Sequence, residues 1–428
     1  MSKLEYRSRI ADTILSRKLS GMGAVLIEGP KWCGKTTTAE QQAKSVIYMD
    51  DPKQKESNIT AASIDPGLIL EGDVPRLIDE WQIAPELWDA VRFAVDHRSE
   101  DGQFILTGSA VPPVGESEKK MMHTGTGRIG RMRMRTMSLW ESGDSSGKIS
   151  LESLFRGEDQ SAVCSGDLGR IAYLACRGGW PRAIFQSEDI SLERAMDYVD
   201  AVVHSDINRV DGMIKNPDRV YRLLRSYSRH LGSQVSYSAI SADLSGNENN
   251  TFDVRTVQNY VTALKLIFVI EDMPAWNPNL RSKTAIRASD TRYFVDPSIA
   301  VAALGIGPKD LISDLQTFGF VFENLCARDL RVYAGSLNGS VYHYRDSLGL
   351  ECDCVIHLRN GQYGLVEIKL GGDKLVEEGA ANLLKLRDKI DTDKMSKPSF
   401  MMVLTAVGKF AYRRKDGVYV VPITSLKN

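Results

Sequence analysis

The pattern Gly-x-x-x-x-Gly-Lys-Thr runs from Gly29 to Thr36, bracketed by two apolar runs, Ala24 to Ile27 and Val46 to Met49. Nothing else in the chain constrains its fold as strongly. Apolar strand, glycine loop, helix and second apolar strand make a βαβ unit, which implies a parallel sheet and an α/β fold class. Phosphates need backbone N–H groups pointing inward above a helix N-terminus, and glycines let the backbone wrap that closely. Gly29, Pro30, Cys33, Gly34, Lys35, Thr36 and Thr37 are therefore the expected nucleotide contacts. Lys35 would reach the β/γ-phosphates and Thr36 would hold Mg²⁺, so ATP and Mg²⁺ are the expected cofactors.

A phosphate loop requires a second metal carboxylate on another strand. In "VPRLIDEWQIAPELWDAVRFAV", Leu77 and Ile78 lead into Asp79-Glu80, and a helix with proline at its first turn follows. Asp79 would hold Mg²⁺ through water, and Glu80 would orient and deprotonate the attacking water. Next, "GQFILTGS" ends in Thr107-Gly108-Ser109. A hydroxyl at the C-terminal end of a parallel strand lies beside the nucleotide crevice, so Thr107 or Ser109 would sense the γ-phosphate, unless the segment only makes a turn. From Lys119 to Arg135 the chain carries six Lys or Arg and no acid. Arg131, Arg133 and Arg135 alternate with Met132 and Met134, the period of a strand with one buried face. Arg128 or Arg131 is the candidate arginine finger.

The chain has 428 residues, too many for one ordinary core, and a formal net charge of -1. That balance excludes a broadly basic nucleic-acid coat but leaves room for a local basic patch. No apolar run is long enough to span a bilayer, so no membrane partner is expected. The N-terminal residues lack an apolar signal region, and six scattered cysteines suit reduced thiols, which together point to the cytoplasm.

"GPKWCGKTTT", "LIDEWQ", "FILTGS", "GRIGRMRMRTMSLWESG" and "GGWP" (Gly178 to Pro181) resemble the prokaryotic AAA-type P-loop ATPases that carry a C-terminal domain of unknown function. "YFVDPSIAVAALG" and "FGFVFENLCARDLRVY" extend the resemblance over nearly the whole chain. It implies an additional-strand P-loop core, a winged-helix segment and a nuclease-like end. It fixes architecture better than function.

The middle of the chain supports the second of these on its own pattern. "PDRVYRLLRSYSRHLG" and "SYSAISADL" read as helices, and "NENNTFDVRTVQNYVTALKLIFVIEDMPAW" as a turn, a helix and an apolar strand. That order is a winged helix-turn-helix. If it binds DNA, Arg255, Gln258 and Asn259 would face the groove. The wing "NPNLRSKTAIR" offers Arg281 and Lys283 to phosphates. The alternative is a module that only packs.

Nearer the C-terminus stands "LGLECDCVIHLRNGQYGLVEIKLGG". In a regular strand Cys352, Cys354, Ile356 and Leu358 share one face, and Glu351, Asp353, Val355 and His357 the other. The cysteines then look like core residues, and zinc is disfavoured. Asn360-Gly361 signals a hairpin, which would bring Asp353 beside Glu367 and Lys369. Two carboxylates can bind Mg²⁺, with Glu323 as a third oxygen ligand, and a lysine beside them can activate water. Glu323, Asp353, Glu367 and Lys369 resemble the PD-(D/E)xK nuclease set. Expected domains are residues 1–145, 146–215, 216–305 and 306–428: P-loop core, helical connector, winged helix and restriction-nuclease-like α/β domain. The expected function is an ATPase acting on DNA. The alternative is a nucleotide-dependent switch whose nuclease-like domain is inactive and only binds. The sequence leaves nuclease activity, a homo-oligomer and an unknown protein partner open.

Overall fold

The computed structural model describes residues 6–108, 125–209, 215–245, 252–278, 289–391 and 395–428. The chain divides into two units, one of residues 1–136, 202–215 and 262–269, the other of 137–201, 216–261 and 270–428. Of the boundaries expected at 145, 215 and 305, the one at 215 is a point where the chain passes from one unit to the other, and 145 and 305 fall inside the second unit. Most of the connector and of the helical middle belongs to the same unit as the C-terminal region.

The first unit contains α1 (Ile10–Leu19), β1 (Ala24–Glu28), α2 (Lys35–Glu40), β2 (Ser45–Tyr48), β3 (Arg76–Asp79), α3 (Leu87–Arg98), β4 (Phe104–Gly108) and β5 (Ile129–Arg133). Its five strands are all parallel, in the order β2-β3-β4-β1-β5. Strand β4 lies between β1, which feeds the glycine loop, and β3, which ends on Asp79. This is the additional-strand arrangement. The central strands are buried on both faces, which is why they read as continuous apolar runs. Leu26, Ile78 and Leu106 pack one layer with Trp81 and Trp88, and Val25, Leu77 and Ile105 pack the other with Leu15 and Met132. At the edge, β5 alternates: Met132 is buried while Arg131 and Arg133 face out.

The second unit contains β6 (Ala162–Val163), α4 (Leu168–Arg177), α5 (Pro217–Arg229), α6 (Tyr237–Leu244), most of α7 (Val254–Leu266), α8 (Pro297–Leu304), α9 (Leu315–Ser336), β7 (Gly339–Arg345), β8 (Glu351–Leu358), β9 (Tyr363–Lys369), α10 (Asp373–Lys389), β10 (Phe400–Thr405), β11 (Phe410–Arg413) and β12 (Tyr419–Pro422). A mixed seven-stranded sheet runs β6-β11-β12-β10-β9-β8-β7, with β9, β10 and β12 parallel. Val355, Leu365 and Val403 cover one face against Val376, Ala380 and Leu383 of α10. No helix among the described residues is long and apolar enough to cross a membrane.

A fully buried ion cluster ties four distant segments of this unit. Arg328 Nη1 lies 3.1 Å from Asp296 Oδ2, and Arg328 Nε donates to Asp329 Oδ1 at 2.8 Å. Asp296 also accepts the Gly179 amide at 2.9 Å, and Asp329 accepts the Leu139 amide at 2.9 Å. Glycines are required here. A Cβ at Gly179 would stand 2.1 Å from the Met137 carbonyl oxygen, and one at Gly178 2.4 Å from Asp296 Oδ1.

Breaking a buried pair by removing one partner costs about 3–5 kcal/mol, because the other charge stays buried. Arg328→Met is therefore expected to lower the thermal unfolding transition of the second unit by several degrees in calorimetry. Arg413→Ala, which removes an exposed partner of Asp159, should leave it within about 0.5 kcal/mol. Equal transitions for both variants would show that the cluster is not central to stability.

Candidate functional site

The glycine loop follows the C-terminal end of β1. Its first glycine has no room for a side chain: a Cβ at Gly29 would lie 2.1 Å from the Met134 carbonyl oxygen, just past β5. Gly34 has φ of 99°, a conformation that favours glycine, and it starts α2. Pro30 and Cys33 are buried in the loop, and Thr37 is exposed on α2. Lys35 is buried, and its ammonium donates to the carbonyls of Gly29 and Pro30, both at 2.9 Å. Two further interactions fasten the loop. Arg9 donates to the Cys33 carbonyl at 2.9 Å, and Lys31 pairs with Asp206. These partners lie 24 and 175 residues from the loop in sequence, beyond the reach of any local pattern.

The ends of β3 and β4 meet this loop. Thr36 Oγ1 donates to Asp79 Oδ1 at 2.7 Å, and the Thr107 hydroxyl donates to the same oxygen. Thr107 also accepts the Glu80 amide at 3.3 Å. Burial holds the Asp79 carboxyl above its usual range, against the hydroxyl bonds from Thr107 and Thr36. Burial raises Glu80 as well, against the Lys35 charge. Glu80 has φ of 54°, uncommon for a residue with a side chain, and its carboxylate accepts from Gln82. Thr36 and Asp79 thus offer adjacent hard oxygens of the kind Mg²⁺ takes.

The candidate fingers separate. Arg128 is placed away from the loop: its carbonyl accepts the Ala24 amide at 3.1 Å, at the opposite end of β1 from Gly29. Four residues of strand rise amount to roughly 13 Å. Its guanidinium pairs with Asp96 at 2.7 Å. The assignment of Arg128 as finger for this loop is therefore corrected. Arg131 pairs with Glu28 at 3.0 Å, at the loop end of β1. Ser109 lies outside the described residues.

In the second unit the hairpin forms as expected, β8 pairing antiparallel with β9 from Tyr363↔His357 to Val366↔Cys354. Pairing stops there because β8 bulges. Against β7 its register jumps from Tyr342↔Val355 to Tyr344↔Cys352, one extra residue on β8. The strict alternation expected for this strand is thus corrected. Cys352 clusters with Val355 and Leu365, whereas Cys354 has Glu323 and Arg331 as charged neighbours. The two cysteines do not share a face. At the bulge the Asp353 carboxylate takes over the ladder and accepts the Ile368 amide at 2.7 Å.

Asp353, Glu367 and Lys369 do come together. Lys369 Nζ lies 2.8 Å from Glu367 Oε2 and 3.5 Å from Asp353 Oδ2. Burial pushes Glu367 up to about 7, and the Asp353 charge adds to this against Lys369. Burial pulls the Lys369 ammonium down, but the charges of Asp353 and Glu367 outweigh it and hold it above its ordinary value. Burial, with Asp353 nearby, also holds Glu323 well above the carboxylate range, and Glu323 accepts the Tyr293 hydroxyl. Among the described residues no group of three or more Asp, Glu, His or Cys is arranged to hold a metal ion. Within the expected ligand set of Glu323, Asp353 and Glu367, the Lys369 ammonium bridges the two strand carboxylates. His343 is buried and pushed down to about 4 by that burial. Asn382 of α10 joins the site without having been expected there; it donates to Glu367 Oε1 at 2.8 Å and to the Glu351 carbonyl at 2.6 Å. Its signal is an amide beside the apolar stripe Val376, Ala380 and Leu383, where a helix gains little from asparagine.

Helices α5 and α6 precede α7, and two antiparallel bridges follow, Ile270↔Phe294 and Met273↔Thr291. Arg255, Gln258 and Asn259 are exposed on α7. Arg281 and Lys283 lie outside the described residues.

Residues 22–142 match the family model described as an AAA domain. Residues 169–310 and 318–426 match two models, each described as a domain of unknown function (DUF8612 and DUF4143). Uncharacterized proteins of Mycobacterium bovis and Mycobacterium tuberculosis are each 24% identical to the chain over 366 residues, 84% of this chain and 73% of theirs. Among solved structures, the Walker-type ATPase of Pyrococcus abyssi is a distant likeness, with a TM-score of 0.41 and 13% identity, covering 70% of this chain and 99% of its own. With the glycine loop and Asp79 at the C-terminal edge of a parallel sheet, residues 22–142 have the P-loop arrangement that suits their match to the AAA domain model.

Proposed function

We propose that the chain is a Mg²⁺-dependent ATPase that acts on DNA through its second unit. The observation that carries the ATPase half is the row Lys35, Thr36, Asp79 and Thr107, with Glu80 following Asp79 at the end of β3. Lys35 turns from the Gly29 and Pro30 carbonyls to the β/γ-phosphates when nucleotide binds. Thr36 and Asp79 would hold Mg²⁺, which supplies charge neutralisation for the phosphates. Glu80 takes the proton from the attacking water. Its burial raises its proton affinity, which suits a general base.

The DNA half rests on the exposed face of α7 with Arg255, Gln258 and Asn259, and on the carboxylates of β8 and β9. In this reading Asp353 and Glu367 supply the oxygens for a divalent cation once Lys369 releases them, and Lys369 then faces the attacked phosphate. A specific observation favours the second reading, a switch whose nuclease-like region only binds. Lys369 already neutralises both strand carboxylates.

Lys35→Ala is expected to weaken ATP binding severely. Glu80→Gln should retain binding and lose hydrolysis by about 10²–10⁴-fold, the usual contribution of a general base. Retained turnover in Glu80→Gln, measured by phosphate release, would reassign the base.

Calorimetric titration of the whole protein with Mg²⁺ or Mn²⁺, without nucleotide, separates the two readings. The nuclease reading expects a site lost in Asp353→Ala and Glu367→Ala, and cleavage of DNA lost in Lys369→Ala with the metal site kept. DNA binding without a carboxylate-dependent metal site or cleavage would establish the switch.

A further inference from the structure

Strands β9, β10 and β12 are parallel, and their C-terminal residues Lys369, Thr405 and Pro422 stand in one row across the sheet. The carboxylate site occupies the Lys369 end of that row. The other end opens into a cleft of about 980 Å³, lined by Lys148, Ser165, Arg170, Lys409 and Thr424 among others. Both features therefore lie on one edge of one sheet, within one unit.

The ground between them is tightly packed. A Cβ at Gly371, two residues past Lys369, would stand 2.8 Å from the Val407 side chain. A Cβ at Gly166 would stand 3.1 Å from Val407 Cα, and one at Gly408 2.9 Å from Pro422. These three glycines are packed against Val407 and Pro422, so the segments at Gly166, Gly371 and Gly408 close on one another into one continuous surface. Thr405, in the middle of the row, is buried and has an Oγ1 without a hydrogen-bond partner among the described residues.

The charge of the cleft is one-sided in its effect. Lys148 and Lys409 are exposed and make no ion pair among the described residues. The acids of the cleft are already engaged. Asp144 is held by Arg170 and Arg177, both at 2.8 Å, and Asp167 caps α4 through the Arg170 amide at 2.8 Å. Beside the lysines the sheet edge shows bare apolar surface. Val163 and Phe410 face each other across β6 and β11 and are 68% and 57% exposed, and Tyr412 is 42% exposed. Exposed cations that track phosphates, next to aromatic rings that unpaired bases can stack on, make a surface for single strands. A duplex hides its base faces and gains nothing from the rings.

We propose that this cleft binds the phosphodiester backbone of a single-stranded polynucleotide, which continues along the same strand ends to the Asp353–Glu367–Lys369 site. The inference rests on the DNA reading given above and adds the form of the substrate and its path. Lys148 and Lys409 contact phosphates, and Phe410 stacks a base.

The test is fluorescence anisotropy of the full chain with labelled oligothymidylate, and with a hairpin duplex of equal length, across a salt series in EDTA. The wild type is expected to prefer the single strand. Lys148→Glu with Lys409→Glu should weaken single-strand binding at least tenfold and lower the salt slope by about 1.4, because two phosphates are no longer neutralised. Phe410→Ala should weaken it about fivefold or more with an unchanged slope. Lys55→Glu, on an exposed site of the first unit, controls for net charge, and an unchanged thermal unfolding transition of the second unit confirms that the variants fold. Strand binding that survives the double reversal overturns the cleft while leaving the DNA reading intact. A wild type that binds neither oligonucleotide overturns both. Preference for the duplex, untouched by Phe410→Ala, overturns the single-strand assignment.

Discussion

The Arg328 guanidinium is the fixed point of the larger unit. It is 1% exposed and lies between Asp296 and Asp329, both at 0%. A charge that deep has no solvent to fall back on, so its partners must be in place whenever the unit is folded. Those partners also collect the amides of Leu139 and Gly179. Trp180 closes the same corner by donating from its indole to Ser298 at 3.0 Å. Segments more than a hundred residues apart are thereby set against α9. That helix also carries Glu323, so the helix face that borders the carboxylate site is positioned by a cluster that does no chemistry itself.

The two candidate sites use burial in opposite ways. At the phosphate loop, hydroxyls from Thr36 and Thr107 converge on one buried carboxylate oxygen, and the cation Lys35 rests on backbone carbonyls. The acid there is solvated by neutral donors and is free to meet a charged ligand. On the second sheet, Glu367 is solvated by an ammonium and an amide. It is already compensated, and any cation must compete with Lys369 for it.

The phosphate loop is legible in the sequence because its chemistry is local. Gly29 to Thr36 carries the loop, and Asp79 and Thr107 are each announced by the apolar run before them. The hairpin at Asn360-Gly361 is legible for the same reason, and it brings Glu367 and Lys369 near Asp353. Two kinds of information are hidden. The bulge in β8 is a property of its pairing with β7, so a period of two counted on one strand misplaces Cys352. Interactions such as Arg9 with Cys33, or Lys31 with Asp206, join residues with no shared pattern. Arg128 illustrates the limit of composition: an arginine-rich segment gives candidates, but strand direction decides which end of the sheet each one reaches. The motifs "GGWP", "YFVDPS" and "ENLCARDL" carry likeness in the sequence without a reason. The reason is packing around Arg328, where glycine, aspartate and arginine are each dictated by space or charge.

The ammonium of Lys369 gives the second unit an internal counter-charge. The two strand carboxylates Asp353 and Glu367, brought this close, would ordinarily repel one another and loosen the strands that carry them. With the lysine bound at 2.8 Å to Glu367, the sheet edge balances itself without borrowing an ion from solution. The carboxylates of this unit are thus compensated from within the chain, unlike those of small domains that hold together only when loaded with metal.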